Sequence, residues 1–119
     1  MAHIVVLDDV LDAGVLVKRI LERKGHDVAV FSEEEEVLSH VAAGNVDLAI
    51  LDIKLKKMTG VEVLEEIKKR SPTTRAIMLT GYPTLETAKE SLELGADEYC
   101  VKPIDKDELE AKVDEVLSR

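Results

Sequence analysis

Four places in this 119-residue chain put an acid, a hydroxyl or an amine directly after a short apolar run. Asp8 and Asp9 follow His3 to Leu7, Asp52 follows Leu48 to Leu51, Thr80 follows Ala76 to Leu79, and Lys102 follows Glu98 to Val101. Runs of that length read as buried strands. Laid side by side in parallel, they would bring three carboxylates, a hydroxyl and an ammonium to one rim. Carboxylates so gathered repel one another and raise their own pKa values unless a cation binds among them. Oxygen ligands without cysteine or histidine suit a hard ion, Mg²⁺ ahead of zinc, with Ca²⁺ or Mn²⁺ as substitutes. A carboxylate can attack phosphorus to form an acyl phosphate, and the transition state spreads negative charge over the equatorial oxygens. Mg²⁺ and Lys102 would offset that charge, and the Thr80 hydroxyl would donate to a phosphoryl oxygen.

Taken singly, each residue has a plainer reading. Asp8-Asp9 can be a turn or helix cap, with Asp12 as a rival cap, and Asp52 can open a loop toward Gly60. Thr80 can start a turn, and Lys102 can be a solvated cation. Those readings leave unexplained why four of five strand exits carry members of one reaction set.

The fifth run is Asp27 to Phe31, which ends in Ser32 and resembles an edge strand. Helical periodicity fills the gaps between runs. It shows at Ala13, Leu16, Val17, Ile20 and Leu21, and at Val37, Leu38, Val41 and Ala42. It continues at Val61, Leu64 and Ile67, at Leu85, Ala88 and Leu92, and at Leu109, Val113, Val116 and Leu117. Gly25, Gly44 and Gly95 stop the first, second and fourth helices, and Pro72 follows the third. Ser32 with Glu35, and Asp105 with Glu108, have capping spacing. Five strands alternating with five helices require a parallel sheet covered on both faces, an α/β doubly wound fold, for which the order 2-1-3-4-5 is expected. Ligands bind such sheets outside the carboxyl ends of the strands, where the polar exits lie.

Composition agrees with one domain over residues 1–119. No apolar run approaches the roughly 20 residues needed to span a bilayer, and the N-terminus lacks a signal-peptide pattern, so the cytoplasm is the default. A net charge of −9 repels phosphate backbones, and only Phe31, Tyr82 and Tyr99 are aromatic, which argues against direct nucleic-acid binding. The lone Cys100 reads as a buried strand thiol. His3, His26 and His40 share no metal-ligand spacing and read as surface histidines.

Along the chain from Ile4 to Leu117 these residues resemble the response-regulator receiver family. The motifs are Val-Leu-Asp8-Asp9, Leu-Asp52-Ile-Lys-Leu followed by Met58-Thr59-Gly60, Leu-Thr80-Gly-Tyr, and Gly-Ala-Asp-Glu-Tyr99-Cys-Val-Lys102-Pro103. The resemblance implies that Asp8 and Asp9 hold Mg²⁺ with Asp52, completed by the backbone carbonyl of Lys54. It implies that Asp52 takes a phosphoryl group from a sensor histidine kinase or phosphotransfer protein, assisted by Thr80 and Lys102. Thr80 and Tyr99 would form a switch pair, and the Lys102-Pro103 bond would be cis. The fourth helix, fifth strand and fifth helix would form the output surface, read by a downstream effector or output domain. No enzyme activity is expected beyond Mg²⁺-dependent self-phosphorylation and slow autodephosphorylation.

Two positions depart from the usual pattern. Lys54 stands two residues after the acceptor, where polar uncharged residues are frequent, and Tyr82 stands two after Thr80. In such domains both flank the route of the hydrolytic water, so Tyr82 is expected to slow loss of the phosphoryl group. Lys89, Glu108 and Lys112 resemble charges that some receivers use for a phosphorylation-dependent homodimer. Among rival readings, an aspartate-nucleophile phosphatase would carry a second acid where Lys54 stands. A flavin carrier would need a glycine- and hydroxyl-rich loop in place of Asp8-Asp9-Val10. A receiver-like interaction module that works without phosphorylation is the alternative.

Overall fold

A computed structural model describes residues 1–55 and 57–119. Five strands alternate with five helices: β1 (His3–Leu7), α1 (Leu11–Glu22), β2 (Asp27–Phe31), α2 (Glu34–Ala42), β3 (Leu48–Leu51), α3 (Gly60–Arg70), β4 (Arg75–Thr80), α4 (Leu85–Glu93), β5 (Glu98–Val101) and α5 (Lys106–Leu117). All neighbouring strands pair in parallel in the order β2-β1-β3-β4-β5, the order expected from sequence. The register sets Leu7 beside Leu51 and Phe31, Leu51 beside Met78, and Thr80 beside Val101, so the strand exits share one rim.

Alternation along the strands divides the core in two. Val5, Leu7, Ala49, Leu51, Ala76 and Met78 face Val37, Leu38, Val41, Val63, Leu64 and Ile67 of α2 and α3. Ile4, Val6, Leu48, Ile50, Ile77 and Leu79 face the other way, toward Val17 and Leu21 of α1 and Leu109, Val113 and Val116 of α5. Cys100 is buried in this second layer, as expected of a strand thiol.

The helix boundaries confirm most of the stop and start signals. Gly25, Gly44 and Gly95 take left-handed φ values of 89°, 97° and 99° after α1, α2 and α4. Asp105 caps α5 by accepting the Glu108 amide at 2.8 Å. The expected Ser32 cap does not form: α2 starts from Glu33, with no side-chain cap bond. A full reciprocal box forms instead at α3, where Thr59 and Glu62 bond each other's backbone amides. The apolar face of α4 is also not the one its leucines suggest. Leu85 and Leu92 are exposed, and the helix turns Ser91 inward where it contacts α3 and β5, with Ala88 half-buried. Among the described residues no helix is long and apolar enough to cross a membrane.

Candidate functional site

The shared rim gathers the acids that the sequence places at strand exits. Carboxylate oxygens of Asp8, Asp9 and Asp52 all lie within 4.8 Å of one another. Asp8 and Asp52 are buried, with 5% and 6% of their surface exposed, while Asp9 reaches solvent. Each buried carboxylate is fixed by its own backbone. Asp8 Oδ1 accepts the Val10 amide at 2.9 Å and Asp52 Oδ1 accepts the Ile53 amide at 2.7 Å. The second oxygen of each faces Lys102, whose Nζ donates to Asp8 Oδ2 at 2.6 Å and to Asp52 Oδ2 at 3.1 Å.

Lys102 reaches the acids from β5, across the whole of β4, and its backbone amide donates to the Thr80 carbonyl at 2.8 Å. The following Lys102-Pro103 peptide is cis, as the resemblance implies. Burial works against the charge on Lys102 more than any other single influence. The Asp8 carboxylate it touches and the neighbouring Asp52 together outweigh that effect and raise its pKa above the ordinary lysine value.

The loop after β3 is held close beneath the acids. Gly60 N–H donates to the Ile53 carbonyl at 2.8 Å, and a Cβ at Gly60 would lie 1.9 Å from the Asp52 carbonyl oxygen. Only glycine allows that approach, so the start of α3 fixes the backbone of Asp52. Lys54 forms an isolated antiparallel bridge with Thr59 in the same loop.

Thr80 and Tyr99 are bonded to partners other than the acids. Thr80 is fully buried, and its Oγ1 accepts the Tyr82 amide at 3.0 Å, which leaves the hydroxyl proton free to be donated elsewhere. Tyr99 is half-buried against the α2/α3 side of the core, and its hydroxyl pairs with Thr87 Oγ1 of α4 at 2.8 Å. Thr87 was not among the residues singled out from sequence, although the spacing Thr84-x-x-Thr87 places it one turn into α4. The Val10 and Ile53 amides were also missed, and no side-chain signal marks them.

A cavity of about 280 Å³ opens on this rim, lined among others by Asp9, Asp52 and Lys102, with Lys54 and Tyr82 also in its wall. Three hard oxygen donors at this spacing fit a divalent ion such as Mg²⁺. Of the charges noted for a dimer, Lys112 pairs within the chain with Glu98 at 3.2 Å. Among the histidines, His3 Nδ1 meets the Asp27 carboxylate at 2.9 Å on the surface, far along the sheet from the acid rim.

Comparison with known proteins places this geometry in context. Residues 4–114 match the response regulator receiver domain family. The chain is 32% identical over 115 residues to the transcriptional regulatory protein ZraR of Escherichia coli (strain K12), covering 97% of this chain and 26% of that protein. It is 35% identical over 116 residues to the alkaline phosphatase synthesis transcriptional regulatory protein PhoP of Bacillus subtilis, covering 98% of this chain and 48% of that protein. The chain thus spans a quarter to a half of the length of these curated relatives. A CheY-like receiver domain protein from Methanospirillum hungatei superposes with a TM-score of 0.96 at 36% identity, covering 99% of this chain and 94% of that one. The response regulator TrrA of Thermotoga maritima, solved in complex with Mg(2+)-BeF, superposes with a TM-score of 0.87 at 36% identity, covering 98% and 99%. A rim of acids faced by one lysine, on a sheet of this order and with a match over nearly its whole length, makes the chain a member of the response regulator receiver domain family.

Proposed function

We propose that this receiver takes a phosphoryl group onto Asp52 from a histidine of a sensor kinase or phosphotransfer protein, in the cytoplasm, and signals through α4, β5 and α5 to a downstream effector or output domain. One observation carries the reading: Lys102 Nζ lies between Asp8 and Asp52, within hydrogen-bond reach of both, with Asp9 beside them.

In the step envisaged, an Asp52 carboxylate oxygen forms a bond to phosphorus as the P–N bond of the donor histidine breaks. The bonding pair stays on the imidazole, which takes up a proton. The Ile53 amide holds Oδ1, so Oδ2, the oxygen facing Lys102, is the nucleophile. Asp8, Asp9 and Asp52, with the backbone carbonyl of Lys54, would hold Mg²⁺. When bound, the ion supplies charge neutralisation at the acids and at the transferring oxygens. Lys102 adds a second fixed positive charge beside Asp8 and Asp52. That TrrA, a response regulator of closely similar fold, was solved in complex with Mg(2+)-BeF supports this reading.

Phosphorylation adds about −1.5 to −2 of charge at Asp52. Thr80 has a proton to donate to it, and Tyr99, tied to Thr87, links β5 to α4. Thr80 and Tyr99 are therefore assigned as the switch pair, with α4, β5 and α5 as the surface read by the partner. Chemistry at the site is confined to self-phosphorylation and slow hydrolysis. A homodimer formed on phosphorylation would use Lys89 and Glu108 together with a Lys112 released from Glu98, and a dilution series with and without a phosphoryl mimic reads it directly.

The test of the main reading is intact mass after incubation with a small phosphodonor and Mg²⁺. The parent gains one phosphoryl group and Asp52→Asn gains none. A parent that stays at its original mass overturns the assignment.

A further inference from the structure

The start of α4 is held by a cluster of three hydroxyls that the transfer chemistry does not use. Thr84 caps the helix, its Oγ1 accepting the Thr87 amide at 3.0 Å. Thr87 Oγ1 in turn lies 2.8 Å from Thr84 Oγ1, 3.2 Å from the Thr84 carbonyl oxygen and 2.8 Å from the Tyr99 hydroxyl. A threonine hydroxyl has one proton to donate and two lone pairs with which to accept. With that proton on the Thr84 carbonyl, both lone pairs are taken by the Thr84 and Tyr99 hydroxyls, and the group is saturated. The start of α3 is built differently. There the residue three places after the cap, Glu62, reaches back to the Thr59 amide and closes the cap on itself. In α4 the same place is held by Thr87, and its hydroxyl also bonds outward to β5.

That outward bond weighs more because little else seats the helix. Thr87 and Ala88 are half-buried, and Ser91 is fully buried with a hydroxyl that has no hydrogen-bond partner. Tyr99 stands on the same face of the sheet as Thr80, since it pairs with Met78, two residues before Thr80 on β4. Thr80 Oγ1 accepts the Tyr82 amide in the loop that leads to Thr84. The start of α4 is thus joined to the strand carrying Thr80 by that loop, and to the neighbouring β5 by the Tyr99–Thr87 bond. We propose that Thr87 is a positioning residue of the switch: its hydroxyl holds Tyr99 to the cap of α4, and a change around Thr80 and Tyr99 on phosphorylation reaches α4 through this bond. The proposal rests on the reading of Asp52 as phosphoacceptor and of Thr80 and Tyr99 as the switch pair. It adds the residue that passes their state to the helix. A neutral hydrogen bond favours the joined arrangement by about two- to ten-fold, which sets the size of the effect.

The experiment follows backbone amide resonances of the whole chain by NMR as Mg²⁺ and beryllofluoride, the pair with which TrrA was solved, are added to saturation. In the parent, the Ile53 and Lys54 amides beside Asp52 and the amides from Ala88 to Leu92 in α4 shift together. Thr87→Val keeps the shape and loses the hydroxyl. Its Ile53 and Lys54 amides shift as in the parent, while the α4 response falls about two- to ten-fold. Thr87→Ser retains a hydroxyl and restores the response. Tyr99→Phe matches Thr87→Val in α4, and the double variant falls no further, because both substitutions remove the same bond. A thermal midpoint well above the measuring temperature verifies that each variant is folded. An α4 that stays still in the parent, a full α4 response in Thr87→Val, no rescue by Thr87→Ser, or a double variant below either single one overturns the role of Thr87 and leaves the acceptor reading intact. A parent whose Ile53 and Lys54 amides do not move removes both.

Discussion

Two buried acidic regions of this molecule differ in one respect. At the rim, Asp8 and Asp52 are enclosed but each carboxylate has a backbone amide on one oxygen and the Lys102 ammonium on the other. At the first turn of α2, Glu34 is 1% exposed and neither of its side-chain oxygens has a hydrogen-bond partner. The rim acids are satisfied and poised; Glu34 bears the cost of desolvation without return. Burial alone therefore does not mark a functional carboxylate. Convergence of donors on it does.

The sharpest way to break this contrast is at Lys102. Lys102→Met leaves Asp8 and Asp52 without their shared cation and should lower the rate of phosphorylation by about 10² to 10³, the loss typical of removing one positioned charge-stabilising donor. Initial rates with a small phosphodonor and Mg²⁺ measure it. A loss below tenfold would mean the ammonium only holds the rim together.

The opposite outcome is expected at Glu34. Glu34→Leu should stabilise the fold by about 1 to 3 kcal/mol, because an apolar side chain replaces an unpaired buried acid against Val37, Leu38 and Val41. Urea denaturation tests this, and a destabilised variant would erase the distinction between the two regions. Mg²⁺ sharpens it from another side. At 100 times its dissociation constant the ion should add about 2.7 kcal/mol of stability to the parent, and far less to Asp9→Asn. Glu34→Leu should respond to Mg²⁺ as the parent does.

The smallest effect is expected away from both regions, at Glu98. The hydrogen bond from Arg119 lowers its pKa most, partial burial opposes this, and Lys112 lowers it further. A carboxyl with a lowered folded pKa contributes stability above its unfolded value and loses it as pH falls through the folded one. Glu98→Gln should thus be slightly less stable than the parent at pH 7, with the difference vanishing on acidification below the ordinary carboxylate range. A difference that persists in acid would show packing rather than charge.

Glu34 also shows how far the sequence could be read. It stands three, four and seven residues before Val37, Leu38 and Val41, so its place on the apolar face of α2 was present in the spacing. A run of four glutamates, Glu33 to Glu36, masks it as an ordinary acidic first turn. The α4 leucines mislead in the reverse direction. Their period is right for a helix, yet Leu85 and Leu92 point outward, and the residue that α4 buries is Ser91. Side-chain type reported the rim acids and Lys102, because each directly follows a short apolar run of strand length.

Local pattern by itself determined the elements, their alternation and hence a parallel sheet, and through the strand exits it determined which polar groups share a rim. Those properties follow from hydrophobic period and from the need of each crossover to return to the same end. Tertiary structure decided the rest. It decided that Lys102 crosses β4 to reach Asp8 and Asp52, that Tyr99 meets Thr87, and that Lys54 lies over Tyr82. These are distances between loops far apart in the chain, and they depend on twist, loop path and rotamer, none of which leaves a period in the sequence.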